Sequence, residues 1–364
     1  MANENLHKAK TTKNDEFYTQ YPDIEREISA YTEYDPDSFR GKVVLLPCDD
    51  PEWSNFTKFF AQNFSRLGLK KLISTSYAPE AKNMAVGYVP SLFEESCEAY
   101  DPVKSRLKGR IFVLTEDVTG DGRVDIDDLR YGYLNGTGDF RSDEVRRLRD
   151  EADIIVTNPP FSLFREFVSW IFEASKEFVI IGNMNAITYK EIFPLLKANR
   201  MWLGATGYGT DMVFGVPEGA NVSDYDRQKA AKLGYVGNYT RLGNSCWFTN
   251  VDHGRRHLPL SLMTMDENLR FSRHKDLRGR DNYDKYDNYD AIEVPYVDAI
   301  PSDYQGVMGV PVTFMDKYCP DQFEIVGCTY DYGRPAFWSQ DTAMSPSVDG
   351  RNIYKRILIR NKFQ

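Results

Sequence analysis

No apolar run in the chain approaches the ~20 residues that a helix needs to cross a bilayer, so a soluble protein is expected. The polar start, Met1 to Lys13, lacks the apolar stretch of a signal peptide, which points to a cytoplasmic setting. Cysteine is scarce: Cys48, Cys97, Cys246, Cys319 and Cys328 are scattered, odd in number and form no Cys-x-x-Cys pair, which argues against a disulfide framework and a structural zinc. The four histidines, His7, His253, His257 and His274, do not accompany a Gly-x-Ser-x-Gly elbow, so nucleophilic hydrolysis has little support. A Gly-x-x-x-x-Gly-Lys phosphate loop is missing too, leaving nucleotide hydrolysis without an anchor. Positive charge is in deficit, with 45 Lys and Arg against 54 Asp and Glu and a net charge of −9. That counts against a nucleic-acid partner only until local clusters are considered, because phosphates sense charges within about a Debye length, ~8 Å at physiological salt.

Against these absences stands one short motif. Asn158-Pro159-Pro160-Phe161 follows the apolar run Ala152 to Thr157, whose Ile154, Ile155 and Val156 read as a buried parallel strand. The two prolines cannot donate to a ladder and hold φ near its extended value, so the chain leaves the sheet in a rigid turn at the strand's carboxyl end. That edge is where open α/β sheets bind ligands. Leu163, Phe164, Phe167, Val168 and Ile171 then recur at helical spacing. Such a turn presents acceptors to a planar amine, whose lone pair is delocalised into its ring and is a poor nucleophile. An Asn158 side-chain oxygen and a Pro159 carbonyl, each taking one N–H, would hold the amine and favour a geometry with more lone-pair density on nitrogen. Phe161 can stack on a base. The bland alternative is a tight strand-to-helix turn without chemistry.

The run from Asn158 through Ser162, Leu163, Phe164, Arg165 and Glu166 resembles the EcoRI-type adenine-specific DNA methyltransferases. The resemblance extends to Asp15-Glu16-Phe17-Tyr18-Thr19-Gln20-Tyr21, Cys48-Asp49-Asp50-Pro51, Gly138-Asp139-Phe140-Arg141-Ser142 and Gly182-Asn183-Met184-Asn185-Ala186-Ile187-Thr188. It implies a doubly wound, Rossmann-like methyltransferase sheet with a smaller C-terminal target-recognition module. Asn158, Pro159, Pro160 and Phe161 would be catalytic, and S-adenosylmethionine would be the methyl donor. By the same resemblance Tyr18 and Thr19 close over its methionine end, the Pro47, Cys48, Asp49, Asp50 and Asn55 region forms the turn after the first strand, Asp139 accepts the cofactor adenine's amine, and Phe140 packs on that ring. The chain departs from the common methyltransferase pattern in having no glycine between Leu45 and Phe56. Chemistry alone allows Asp49 or Asp50 to face the sulfonium or the methionine ammonium, or to cap the next helix. No acidic residue from Ser74 to Glu80 is placed to bind the ribose, unless Glu80 reaches back.

Strands are expected at Lys42 to Leu46, Lys71 to Ser76, Arg110 to Leu114, Ala152 to Thr157 and Glu177 to Gly182, with the last ones at Met201 to Gly204, Met212 to Val216 and Ser245 to Phe248. Helices are expected at Lys58 to Leu67 and over 162–175. Beyond Asp252 the pattern changes, dividing the chain into a catalytic domain over 1–252 and a target-recognition module over 253–364. In the latter, Asp281 to Asp290 reads as an exposed loop before short strands around Val294, Val312 and Ile325. Arg255, Arg256, Arg273, Lys275 and Arg278 are candidate phosphate contacts on double-stranded DNA, bound by a monomer. A calcium-binding interaction protein is the alternative of another class: Asp117, Thr119, Asp121, Asp125 and Asp128 place oxygens as a calcium loop would, with Gly122 at its turn and a helix conceivable only at Leu129 to Leu134. Within the methyltransferase reading, the same turn also suits RNA or a protein glutamine amide.

Overall fold

The computed structural model describes residues 17–48, 54–78, 99–207, 212–216, 222–330, 333 and 345–362. The chain divides into two compact units, one comprising the described residues of 1–183 and 209–251, the other those of 184–208 and 252–364.

The first unit begins with the short strand β1 (Tyr18–Thr19) and helix α1 (Tyr21–Tyr34). Pro22 starts the helix where no amide partner is needed. Ile24, Ile28 and Tyr31 form its buried stripe, within which the Tyr31 hydroxyl donates to Glu27 at 2.7 Å. Strand β2 (Val43–Leu46) is buried throughout and leads to α2 (Asn55–Gln62), capped by Ser54, whose hydroxyl accepts from the Phe56 amide. The expected helix to Leu67 is in fact two pieces, broken at Asn63. Next come β3 (Lys71–Thr75), β4 (Arg110–Leu114), β5 (Arg130–Tyr133), α3 (Asp143–Glu151), β6 (Ile154–Thr157), α4 (Phe164–Glu173) and β7 (Glu177–Asn183). The unit is completed by β8 (Val213–Gly215), β9 (Tyr239–Arg241) and β10 (Ser245–Thr249).

These strands make a mixed α/β sheet in the order β5-β4-β3-β2-β6-β7-β10. The β3–β2, β2–β6 and β6–β7 pairs are parallel, whereas β4, β5 and β10 pair antiparallel at the flanks. The parallel strands β2 and β6 are apolar on both faces, as strands covered on both sides require. The chain moves outward from β2 to β3 and later returns to lay β6 on the other side of β2. The carboxyl ends of β2 and β6 therefore flank a topological switch point.

For this unit one expectation is corrected, along with the helix that the calcium-loop alternative allowed. Residues 130–133 are strand β5 rather than a helix, because the aromatic alternation of Tyr131 and Tyr133 packs on β4, with Tyr131 edge-on to Phe112. The segment at Met212 to Val216 does not extend the main sheet: β8 pairs antiparallel with β1 and β9 in a separate small sheet.

In the second unit, helix α5 (Met265–Phe271) carries a capping box from Thr264 and Glu267. A sheet ordered β11-β12-β14-β13 follows from β11 (Ala291–Glu293), β12 (Val307–Val310), β13 (Phe323–Cys328) and β14 (Ile357–Asn361). The strand expected around Val312 lies earlier, and Val312 itself opens a turn of 3-10 helix behind Pro311. The expected exposed loop at 281–290 is instead anchored, since Tyr283, Tyr286 and Tyr289 are buried. Tyr283 donates to the Ala299 carbonyl at 2.6 Å, and Tyr286 donates to Glu293, which also pairs with Arg356. Burial beside that carboxylate pushes the Tyr286 hydroxyl well above its ordinary pKa, so it stays a donor.

Candidate active site

Asn158 follows β6 directly and lies at the switch point. Its Nδ2 donates to the Phe17 carbonyl at 2.7 Å. A carbonyl only accepts, so the amide must turn its nitrogen toward Phe17 and its oxygen away. That oxygen, Oδ1, is buried without any hydrogen-bond partner. A buried orphan acceptor costs ~1–3 kcal/mol, a cost that a ligand N–H would remove.

Phe161 opens a turn of 3-10 helix behind Pro160, where no ladder can form, and α4 starts at Phe164 rather than at Ser162. The Phe161 ring is half-buried and stacks on Phe17 with centroids 5.6 Å apart and planes 28° apart. Phe17 also meets Phe214 of β8 edge-on. Helix α4 presses close to the sheet: a Cβ on Gly182 would lie 2.4 Å from the Phe164 ring, so only glycine fits in β7 there.

The N-terminal string is tied into the same place. The Thr19 carbonyl accepts from Asn55 Nδ2 at 2.8 Å, and the buried Thr19 hydroxyl oxygen has no partner. Tyr18 is half-buried on the same strand. After β2, the Pro47 carbonyl accepts from the Thr75 hydroxyl at 3.2 Å, joining the ends of β2 and β3, and Cys48 is half-buried. Asp49, Asp50 and Glu80 lie outside the described residues.

Asp139 sits beside the end of β3. Gly138 holds φ at +84°, and a Cβ on it would stand 2.2 Å from the Ser76 carbonyl oxygen, which makes glycine mandatory. Arg141 grips the Asp139 carboxylate with contacts of 2.6 and 2.9 Å, and Tyr77 donates to it at 3.4 Å. The hydrogen bond from Arg141 holds this carboxyl below its ordinary pKa, keeping it an anionic acceptor. With the Arg141 backbone amide also donating at 2.9 Å, four bonds occupy its roughly four acceptor positions, and the 3.4 Å contact from Tyr77 is the longest of them. Phe140, read as a cofactor-facing ring, is buried edge-on against Phe167 and Trp170 of α4.

The basic candidates of the second unit divide sharply. Arg256 is buried, with its guanidinium 3.5 Å from the Trp202 ring centroid and bonded to Asn199 at 2.6 Å. Arg255 pairs with Asp316 at 2.6 Å. Both are committed to packing within their own unit. Arg273 is exposed but paired with Asp298 at 2.9 Å, whereas Lys275 and Arg278 are exposed and, among the described residues, in no ion pair. In the acidic loop, Asp117 accepts from the Gly120 and Gly122 amides and Asp128 from those of Val118, Thr119 and Asp125. These two carboxylates are thus turned to the backbone, and among the described residues no cluster arranged for a metal is found.

The site residue that sequence reasoning missed is Phe17. Its contribution is a backbone carbonyl, which no side-chain pattern announces.

A large mixed α/β sheet with an Asn-Pro-Pro-Phe turn at its switch point fits a methyltransferase fold. Over residues 5–362 the chain matches the family described as adenine-specific methyltransferase EcoRI. It is similar to the Type II methyltransferase M.EcoRI of Escherichia coli, with 41% identity over 99% of this chain and 97% of that protein. It is also similar to M.MpnI of Mycoplasma pneumoniae, with 34% identity over 98% of each chain, and to M.MgeORF184P of Mycoplasma genitalium, with 31% identity over 98% of each. No solved structure matches. The chain belongs to the EcoRI family of adenine-specific methyltransferases, and it is an adenine-specific DNA methyltransferase.

Proposed function

We propose that the protein transfers a methyl group from S-adenosylmethionine to N6 of an adenine flipped out of a specific site in duplex DNA. It acts as a monomer in the cytoplasm, and the Type II names of its relatives support a restriction–modification setting. The observation that carries this reading is the buried, unpartnered Oδ1 of Asn158 at the switch point of the sheet.

The donor set fits the cofactor: the unpartnered Thr19 hydroxyl and the anionic Asp139 suit a ligand with both amine and charged groups. Tyr18, Thr19, Pro47, Cys48, Asp49, Asp50, Asn55, Asp139, Phe140 and Asn158 would hold it. When bound, S-adenosylmethionine supplies an electrophilic methyl group on a sulfonium. Asp139 takes the adenine amine of the cofactor in place of the long contact from Tyr77, and the backbone around Thr19 and Pro47 excludes water from the methionine end.

The target adenine must leave the stack, at a cost of a few kcal/mol, before its amine reaches the turn. The face of Phe161 not stacked on Phe17 takes the extruded base. Asn158 Oδ1 and the Pro159 carbonyl then each accept one N6–H, fixing the amine for direct displacement. Pro160 keeps the turn rigid. Positioning and electrostatics supply the acceleration without a covalent enzyme intermediate. Residues 253–364 act as the target-recognition module, with Arg273, Lys275 and Arg278 as its phosphate contacts.

Single-turnover methyl transfer by Asn158→Ala, at saturating S-adenosylmethionine, tests the reading. Turnover should fall roughly 10²-fold or more at cofactor concentrations that calorimetry shows to saturate the variant. Transfer at near wild-type rate would remove Asn158 from the chemistry.

A further inference from the structure

We propose that the backbone carbonyl of Phe17 is a positioning group of the reaction: it fixes the Asn158 side chain in the one orientation that aims its oxygen at the substrate amine. The inference rests on the reading of Asn158 as the acceptor of the target amine. Without a partner for Nδ2, the amide could rotate by half a turn and present N–H groups to an N–H substrate, which would repel it. The 2.7 Å bond to Phe17 forbids that rotation, and it does so from a segment distant in sequence.

The segment is itself held from several sides. Tyr18 and Thr19 pair in register with Gly215 and Phe214 of β8. Asn55 holds the Thr19 carbonyl, and the Gln20 side chain donates to the Tyr18 carbonyl at 2.9 Å. The Phe17 ring lies between Phe161 and Phe214. The carbonyl is therefore placed by a strand pairing, two side-chain bonds and two ring contacts, a degree of support that a chance contact of a chain end would lack. It also explains why β8 and β9 form a small sheet of their own: together with β1 they make a brace for the catalytic turn.

The carboxylate in Asn158→Asp keeps two acceptors but loses the donor, so it faces the Phe17 carbonyl oxygen to oxygen. Burial and that repulsion raise its pKa, and only the protonated acid can donate to Phe17 while leaving its other oxygen as acceptor. The sign follows: the competent form is present below the raised pKa and is lost as pH rises through it. The activity of Asn158→Asp relative to wild type, measured at matched pH from about 5 to about 8, should climb at least ~10-fold toward the acid end. Cofactor calorimetry and a thermal melt at each pH establish that the variant is folded and loaded. A ratio flat across the range, whether near one or near zero, overturns the proposal.

If Asn158→Asp does not fold, the wild-type protein carries the test. With asparagine labelled for NMR, the Asn158 side-chain amide protons should exchange with solvent at least ~10-fold more slowly than those of exposed asparagines, and equal exchange overturns the proposal. An inactive Asn158→Ala beside a flat Asn158→Asp profile would reject the Phe17 role alone. An active Asn158→Ala would reject the reading beneath it.

Discussion

In the proposed mechanism the Asn158 amide carries most of the chemistry, and its neighbours show which kinds of residue a sequence reveals. Asn158 was legible because two prolines after a β-branched run leave few other uses for the motif. Phe161 was legible as an aromatic at the turn, though not as one already stacked on Phe17. Arg256 was misleading: beside Arg255 and His257 it reads as part of a basic cluster, yet it is desolvated over Trp202, and burial lowers its pKa below the ordinary arginine value. Charge in a sequence does not tell whether a guanidinium meets solvent or an indole. For Phe161 the structure predicts that Phe161→Ala weakens capture of the extruded base by ~1–3 kcal/mol, while Phe161→Trp retains much of it. A fluorescent base analogue at the target position reads this directly, and equal extrusion in wild type and Phe161→Ala would take Phe161 out of base capture.

Among the elements, β2, β6 and β7 were readable because strands buried on both faces are written as continuous apolar runs. The brace of β1, β8 and β9 was not, since strands this short carry no periodicity and exist only through pairing with distant residues. The anchored segment around Tyr283, Tyr286 and Tyr289 was hidden for another reason: tyrosines spaced among aspartates and asparagines resemble a solvated loop until a core forms beneath them. Helix α1 escaped notice because its buried stripe includes Glu27, whose burial the bond from Tyr31 helps to offset. The approach of α4 to β7 yields a prediction at this scale. Gly182→Ala should cost roughly 1–3 kcal/mol of stability by overpacking against Phe164, lowering the urea midpoint with little change in slope. Unchanged stability would mean that α4 yields freely, and the turn before it would lose its rigid support.

Across the whole molecule a net charge of −9 coexists with the work of a DNA enzyme. The proposed phosphate contacts, Arg273, Lys275 and Arg278, are few and exposed. DNA affinity should fall linearly with salt on a log–log plot, and replacing Lys275 and Arg278 together by alanine should flatten the slope by about two, at ~0.9 per phosphate neutralised. Arg256→Ala should instead lower the melting temperature, as loss of a packed guanidinium requires. An unchanged slope in the double variant would move the DNA contacts elsewhere. The most direct test of the account is where the methyl group goes. With methyl-labelled S-adenosylmethionine and duplex DNA, digestion to nucleosides should return the label as N6-methyladenine, confined to one sequence when the sites are mapped. Label on cytosine, on RNA or on a protein glutamine amide, with the duplex left unmodified, would contradict it.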